Sequence, residues 1–477
     1  MSANTVDPAA AEKLAKQKRF KQIMGVVGIL VYFVIDFMPT PSGLSPEGKR
    51  ILGYMIATII FWVFEVLPIG ITSICALLVL PLTGLAPMRA AMQSFAIPTI
   101  FFIMASFCFA TGFIKTGLGH RLSLSLSTMF GNRAKYVVLA FMMSTCVIST
   151  LLADIPTAII FASIAFPILE LNKCVPGESK FGRCIMMGIP MAAAIGGVGT
   201  PAGSGLNVLS LDLLQKHGNV SVSFVQWAIL GVPFAIILTL INWYVLIKMV
   251  PPEIDKVEGL DNIKEEKAKL GSITGPEKKF CIIFGITFIG WLTSSLTGIS
   301  IQTIAVVMAT VLFIPGIDVI NWQEANKSIA WEVLMIVGTS SVLAAVMQSQ
   351  GAATWIAQGL LGHVGGFGML ALLFFVIAYG IFSHYILPVA NATLAVSIPV
   401  IAELSHAMGI NPAIMIVPLA YTGSCVFLIP IDPIPLTTYK YNYWKMMDMM
   451  KPGFVVSVLW VLLLTGCMYV ATGAGLF

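Results

Sequence analysis

Apolar runs long enough to cross roughly 30 Å of hydrocarbon recur along this chain, and no other feature constrains its fold as strongly. They lie at about 23–39, 51–66, 68–86, 97–115, 184–214, 222–249, 280–297, 300–316, 329–348, 411–436 and 452–474. Backbone N–H and C=O groups have no water to bond in lipid, so runs of this length fold as helices that satisfy themselves. The composition agrees: 58% of the 477 residues are hydrophobic and 10% are charged, with a mean hydropathy of +0.93. A soluble domain carries about 25% charged residues, so most of this chain takes lipid as its solvent.

Two further apolar regions, about 136–172 and 367–408, are broken in the middle. Their centres read Ala153-Asp154-Ile155-Pro156-Thr157 and Pro388-Val389-Ala390-Asn391-Ala392-Thr393. Proline beside a polar side chain suits a re-entrant hairpin better than one straight lipid-facing helix.

Lys and Arg near the span ends set the orientation. One set of loops holds Lys13 to Lys21, Lys115, Arg121, Arg133, Lys135, Lys173, Lys180, Arg183, Lys256 to Lys279, Lys327, Lys440, Lys445 and Lys451. The other holds only Lys49, Arg50, Arg89 and Lys216. The first set is expected in the cytoplasm, which puts the N-terminus inside and the C-terminus outside. The polar start followed by an apolar run without a small-residue cleavage pattern reads as a retained first span. The expected division is a cytoplasmic segment 1–22, a first membrane half 23–250, a solvated linker 251–279 and a second half 280–477. The net charge of +5 is spread along the chain and makes no nucleic-acid footprint. The 8 cysteines show no metal-ligand spacing and suggest no disulfide framework.

The halves repeat. Phe101 to Gly117 is similar to Leu334 to Gly351, Asp154 answers Asn391, and Thr200-Pro201 answers Asp432-Pro433. The offsets are about 233, 237 and 232 residues, and an odd number of crossings between equivalent points makes the repeat inverted. Paired broken segments in an inverted repeat point to a transporter's site near the bilayer midplane. Gly196-Gly197-Val198-Gly199-Thr200-Pro201-Ala202-Gly203-Ser204-Gly205-Leu206-Asn207 forms the first break, and Gly423 to Pro435 the second. Glycine and proline there free backbone groups that must line an enclosed cavity, where helix N-termini receive a carboxylate and carbonyls hold a cation.

Carboxylates at membrane depth cost roughly 2.5–3.5 kcal/mol, which makes Asp154 and Asp432 functional candidates. Either an ionised Asp binds a cation directly, or it carries a proton. Glu65 is read as a capping or pairing group at the end of a span, and His384 as a packed polar group rather than a ligand. Histidine and carboxylate motifs of membrane enzymes are absent from the breaks, so an enzyme is not expected.

Four motifs in order resemble the divalent anion/sodium symporter family, which includes bacterial dicarboxylate, citrate and tartrate carriers. Phe64-Glu65-Val66-Leu67-Pro68 with Leu78 to Gly84 looks like its Glu-Ala-x-Pro segment. Lys115-Thr116-Gly117-Leu118 looks like its Lys-Thr-Gly-Leu run, and Gly196 to Asn207 like its first unwound helix. The resemblance implies an all-α membrane fold of about eleven spans plus two re-entrant hairpins, with scaffold and transport domains in an elevator arrangement, usually as a homodimer. The family's tips read Ser-Asn-Thr. Here they read Ala153-Asp154-Ile155 and Ala390-Asn391-Ala392, so both tip serines and both tip threonines are missing.

The expected function is cation-coupled symport of small organic anions such as dicarboxylates across the cell inner membrane. Sodium is favoured over protons by the resemblance. No cofactor beyond that coupling ion, and no nucleic-acid partner, is expected. Ser149, Ala153, Asp154, Gly199, Asn207, Ala390, Asn391 and Asp432 are expected to hold the cation. Ile155, Pro156, Thr157, Thr200, Pro201, Ala392, Thr393 and Pro433 are expected to meet the substrate. An anion exchanger of the same family, or a carrier of a less charged organic acid or sulfonate, is the alternative; a membrane enzyme or channel is more remote.

Overall fold

A computed structural model describes residues 8–127, 131–258, 265, 269–385, 390–428 and 432–477. Among these the regular structure is helical, apart from one isolated β-bridge between Arg133 and Lys256. Helix α1 (Pro8–Phe37) starts well before the first apolar run, so the basic segment containing Lys13 to Lys21 is helical and continuous with it.

Ten helices follow before the linker: α2 (Pro46–Val63), α3 (Ile69–Val79), α4 (Met88–Phe95), α5 (Pro98–Lys115), α6 (Leu118–Ser127), α7 (Ala134–Ser149), α8 (Asp154–Leu171), α9 (Lys180–Gly197), α10 (Gly205–Gly218) and α11 (Phe224–Met249). After it come α12 (Gly275–Leu292), α13 (Ile301–Val311), α14 (Trp322–Ser328), α15 (Trp331–Ser349), α16 (Ala352–Val364), α17 (Met369–Phe382), α18 (Ala390–Ala407), α19 (Pro412–Thr422), α20 (Pro433–Tyr439) and α21 (Met446–Gly473). The two series run in parallel order, long elements matching long and short matching short. Local chemistry sets many of their starts. Ser45 accepts from the Gly48 amide at α2, and Ser223 with Gln226 and Thr274 with Glu277 close reciprocal capping boxes at α11 and α12.

Packing repeats as well. Helix α7 lies on α9 and α11, as α17 lies on α19 and α21. The series also exchange partners: α8 packs on α20 and α18 on α10, while α5 packs on α13 and α15 on α3. Each broken element of one series is therefore held by the other. The apolar runs at 184–214 and 411–436 are not single helices, because α9 stops at Gly197 and α19 at Thr422. The run at 68–86 is shortened, with a 3₁₀ turn over Leu80–Thr83 after α3.

Among the described residues, six helical stretches are long and apolar enough to cross a bilayer, and five shorter apolar helices accompany them. Large apolar side chains such as Ile282, Ile289 and Val470 point outward. In water these would be a liability, and against lipid they are matched to their solvent. The chain is a multi-pass membrane protein.

Candidate functional site

The site is built from helix starts. Between α7 and α8 the chain turns over residues 150–153, and α8 begins on Asp154, whose Oδ1 accepts the Ile155 amide at 2.8 Å. Thr200 caps the short turn Pro201–Gly203, and Ser204 caps α10 by accepting from the Leu206 amide at 3.4 Å. In the second series Asp432 caps α20, with Oδ1 accepting the Ile434 amide at 3.0 Å and Pro433 at the first helical position. Proline there lacks an N–H that would have had no partner.

These starts converge. A cavity of about 240 Å³ is lined by Ala153, Asp154, Ile155 and Pro156 from the first tip and by Ala390 and Asn391 from the start of α18. Ala202, Ser204, Gly205 and Leu206 line it from the first broken helix, and Asp432, Pro433 and Ile434 from the second. At about 30 Å³ per water the volume holds roughly eight waters, or a solute of a few carbon atoms. First turns of α8, α10 and α18 face one space, and the partial positive charge of a helix N-terminus favours a carboxylate there.

Helices outside the tips complete the wall. Trp62, Val63, Glu65 and Ile69 come from the α2–α3 junction, Ile103, Ser106 and Phe107 from α5, and Glu332, Val333 and Ile336 from α15. Among the described residues the lining thus holds four carboxylates (Glu65, Asp154, Glu332 and Asp432) and no Lys, Arg or His. Glu65 has a backbone φ of +44°, the left-handed region where a non-glycine residue is strained. Its carboxylate meets Lys21 Nζ at 3.3 Å in an exposed pair. Glu65 is therefore both a pairing group, as expected, and part of the cavity wall, which its sequence position did not reveal.

Oxygen atoms crowd beneath the first tip. A Cβ on Gly197 would lie 3.2 Å from both Asp154 Oδ2 and Gly203 O, and one on Gly203 would meet Gly197 O at 2.5 Å and Ser149 O at 2.7 Å. Only glycine fits at Gly203, and a side chain at Gly197 would be tight against its neighbours. Asn207 Nδ2 donates to Gly197 O at 2.7 Å and Thr200 O at 2.8 Å, pairing carbonyls freed where α9 stops. Its Oδ1 is buried without a hydrogen-bond partner among the described residues. A carboxylate, backbone carbonyls and a spare carboxamide oxygen are donors of the kind an alkali cation takes. The Ser204 hydroxyl also interacts with the Asp154 carboxylate.

Other residues singled out in the sequence stand behind this surface. The Ser149 hydroxyl donates to Ala193 O at 2.7 Å and the Thr157 hydroxyl to Ala153 O at 3.0 Å. Thr200 Oγ1 donates to Thr150 O at 2.5 Å and accepts from the Ala202 amide. Gly199 and Pro201 are buried next to it without lining the cavity. Ala392 faces a small adjoining void with Trp62 and Ser340, and Thr393 is buried. His384 is 5% exposed and is not among the residues that line the cavity. Pro388 and Val389 lie outside the described residues. Glu332, Ser106 and Ser204 were missed; Glu332 sits beside the Trp331 that opens α15, far in sequence from either tip.

Known proteins resemble this chain along nearly its whole length. Residues 19–472 match the sodium:sulfate symporter transmembrane region. The sodium-dependent dicarboxylate transporter SdcS of Staphylococcus saprophyticus is 25% identical over 488 residues, which cover 96% of this chain and 93% of the relative. SdcS of Staphylococcus aureus is 25% identical over 456 residues, covering 89% and 86%. Among solved structures, the YdaH transporter of Alcanivorax borkumensis, described as having an unusual topology, superposes with a TM-score of 0.54. It is 12% identical and covers 96% of this chain and 98% of its own, a likeness of fold alone. The family and these relatives are transporters rather than enzymes, and the chain belongs to the sodium:sulfate symporter family.

Proposed function

We propose that this protein is a sodium-coupled symporter of small organic anions in the cell inner membrane, with dicarboxylates the first class to test. The observation that carries the reading is the gathering of oxygen atoms beneath the first tip. There Asp154 Oδ2 and the carbonyls of Ser149, Gly197 and Gly203 close in on Gly197 and Gly203, and Asn207, which donates to Gly197 O, has its Oδ1 buried without a hydrogen-bond partner among the described residues. Sodium held there neutralises Asp154 next to the cavity and lets an anion approach the first turns of α8, α10 and α18. Without the ion, Asp154 repels that anion and resists crossing, which couples the two fluxes. Asn391 is the corresponding group of the second tip, and Asp432 lines the same cavity from the second broken helix. The sodium-dependent dicarboxylate transporters among the relatives support sodium as the ion.

The repeated order of elements and their exchanged packing support an inverted repeat. Helices α7 to α11 and α17 to α21 would then move the cavity past α2 to α5 and α12 to α15, in a homodimer. With the N-terminus inside, Lys21 and Glu65 mark a mouth open to the cytoplasm.

The test is a thermal-shift screen of the purified protein against mono-, di- and tricarboxylates, sulfonates and sulfate, in sodium and in choline. It is followed by uptake of the hits into proteoliposomes. The reading requires stabilisation that depends on sodium and uptake driven by a sodium gradient. Equal stabilisation in choline, or uptake indifferent to the gradient, overturns it.

A further inference from the structure

The cavity's charge is opposite to that of a simple anion site. Four carboxylates line it, with no basic side chain among them. The two neighbouring segments outside the described residues, 386–389 and 429–431, read Ile-Leu-Pro-Val and Ile-Pro-Ile, so neither could supply a basic group. Sodium beside Asp154 offsets one carboxylate, and Lys21 at 3.3 Å offsets Glu65. Asp432 and Glu332 remain. Asp432 commits Oδ1 to the Ile434 amide, and no hydrogen bond to its other oxygen is found among the described residues. Glu332 sits in the first turn of α15. A second sodium at Asp432 would still leave Glu332 at the mouth.

Both signs are nevertheless present in one space. Helix starts on α8, α10 and α18 suit a carboxylate, while Asp432 at the start of α20 and Glu332 on α15 suit a cationic group. Ile103, Phe107, Ile155 and Ile336 supply apolar wall for a short carbon frame between them. From this juxtaposition we infer that the transported solute is an amino-substituted organic acid, carrying an ammonium group as well as carboxylate. The inference rests on the proposed sodium-coupled transport of organic acids and narrows its substrate class. The ammonium lies against Asp432 and Glu332, and a carboxylate lies at the tip.

Matched pairs test it. Full-length protein in nanodiscs is titrated with succinate and aspartate, glutarate and glutamate, and propionate and alanine, in sodium and in choline, with thermal shift as the readout. In sodium, the aminated member of at least one pair binds about tenfold or more tightly than its plain partner, since its added ammonium brings an opposite charge to the cavity's carboxylates. Asp432→Asn keeps the oxygen that accepts from Ile434 and removes the charge, so it narrows this ratio, as does Glu332→Gln. A structural role would weaken both members of the pair equally. Tighter sodium-dependent binding of the plain diacids overturns the inference and leaves the proposed function in place. Stabilisation by neither series overturns both.

Discussion

Replacing Asp154 by Asn changes one charge and almost no shape. Asp154 is 6% exposed, and its Oδ1 accepts the Ile155 amide at 2.8 Å. The carboxamide oxygen retains that bond, so α8 keeps its start. An NH₂ group then replaces Oδ2, in the space bounded by Gly197 and the Gly203 carbonyl, and presents a donor where a cation needs a lone pair. Opposite unit charges 4 Å apart attract by about 4 kcal/mol at an effective dielectric of 20. The carbonyls and Asn207 Oδ1 remain, so a loss of about half to three-quarters of that is expected, or about 2–3 kcal/mol. At 1.4 kcal/mol per decade, the sodium concentration for half-maximal uptake rises roughly 30- to 150-fold. The assay is initial uptake into proteoliposomes across a sodium series, using the organic acid with the largest sodium-dependent thermal shift. Wild type and variant are matched for reconstituted amount and melting temperature. An unchanged sodium half-saturation in folded Asp154→Asn refutes the role of this carboxylate.

Three further outcomes follow from the same geometry. Gly203→Ala places a methyl 2.5 Å from Gly197 O and 2.7 Å from Ser149 O, both backbone atoms, so uptake is lost and sodium no longer raises the melting temperature. Asn207→Ala leaves the buried Gly197 carbonyl without its donor, while Thr200 O keeps the Gly203 amide; the protein loses about 1–3 kcal/mol, read as a lower midpoint in thermal or denaturant unfolding. Arg121 binds both Glu277 oxygens and the carbonyls of Leu270, Gly271 and Ser272, fixing the end of the linker to α6, so Arg121→Ala lowers the melting temperature. Its hydrogen bond holds the Glu277 carboxyl below the usual range, so this contribution is complete above the unfolded carboxylate value of about 4.3 and fades as pH falls past it. The difference in melting temperature between wild type and Arg121→Ala should therefore shrink between pH 6 and pH 3.

The all-helical membrane fold was legible because hydropathy and length act along the sequence, and lipid leaves the backbone few options. The interruptions around Asp154, Thr200 and Asp432 were legible because glycine, proline and capping side chains act locally. The direction in which each oxygen points was not. Thr157 and Thr200 lie at the breaks as read, but their hydroxyls serve backbone carbonyls, an outcome fixed by cap geometry rather than by residue type. Glu65 and Glu332 join the cavity from α2, α3 and α15, which reach it only through tertiary packing. A charge inventory restricted to the breaks therefore counts two of the four carboxylates. Glu65 carried one local signal, its place just before Leu67-Pro68 in a short junction, but the positive φ is visible only in the fold.

The central claim is that the two tips enclose one sodium-dependent solute site. A cryo-EM reconstruction in sodium with the best-stabilising acid, compared with one in choline without it, tests that most directly. The account predicts ion density among Asp154, Gly197 and Gly203 and solute density between that ion and Asn391, both absent in choline. Solute bound elsewhere, or the same density without sodium, contradicts it.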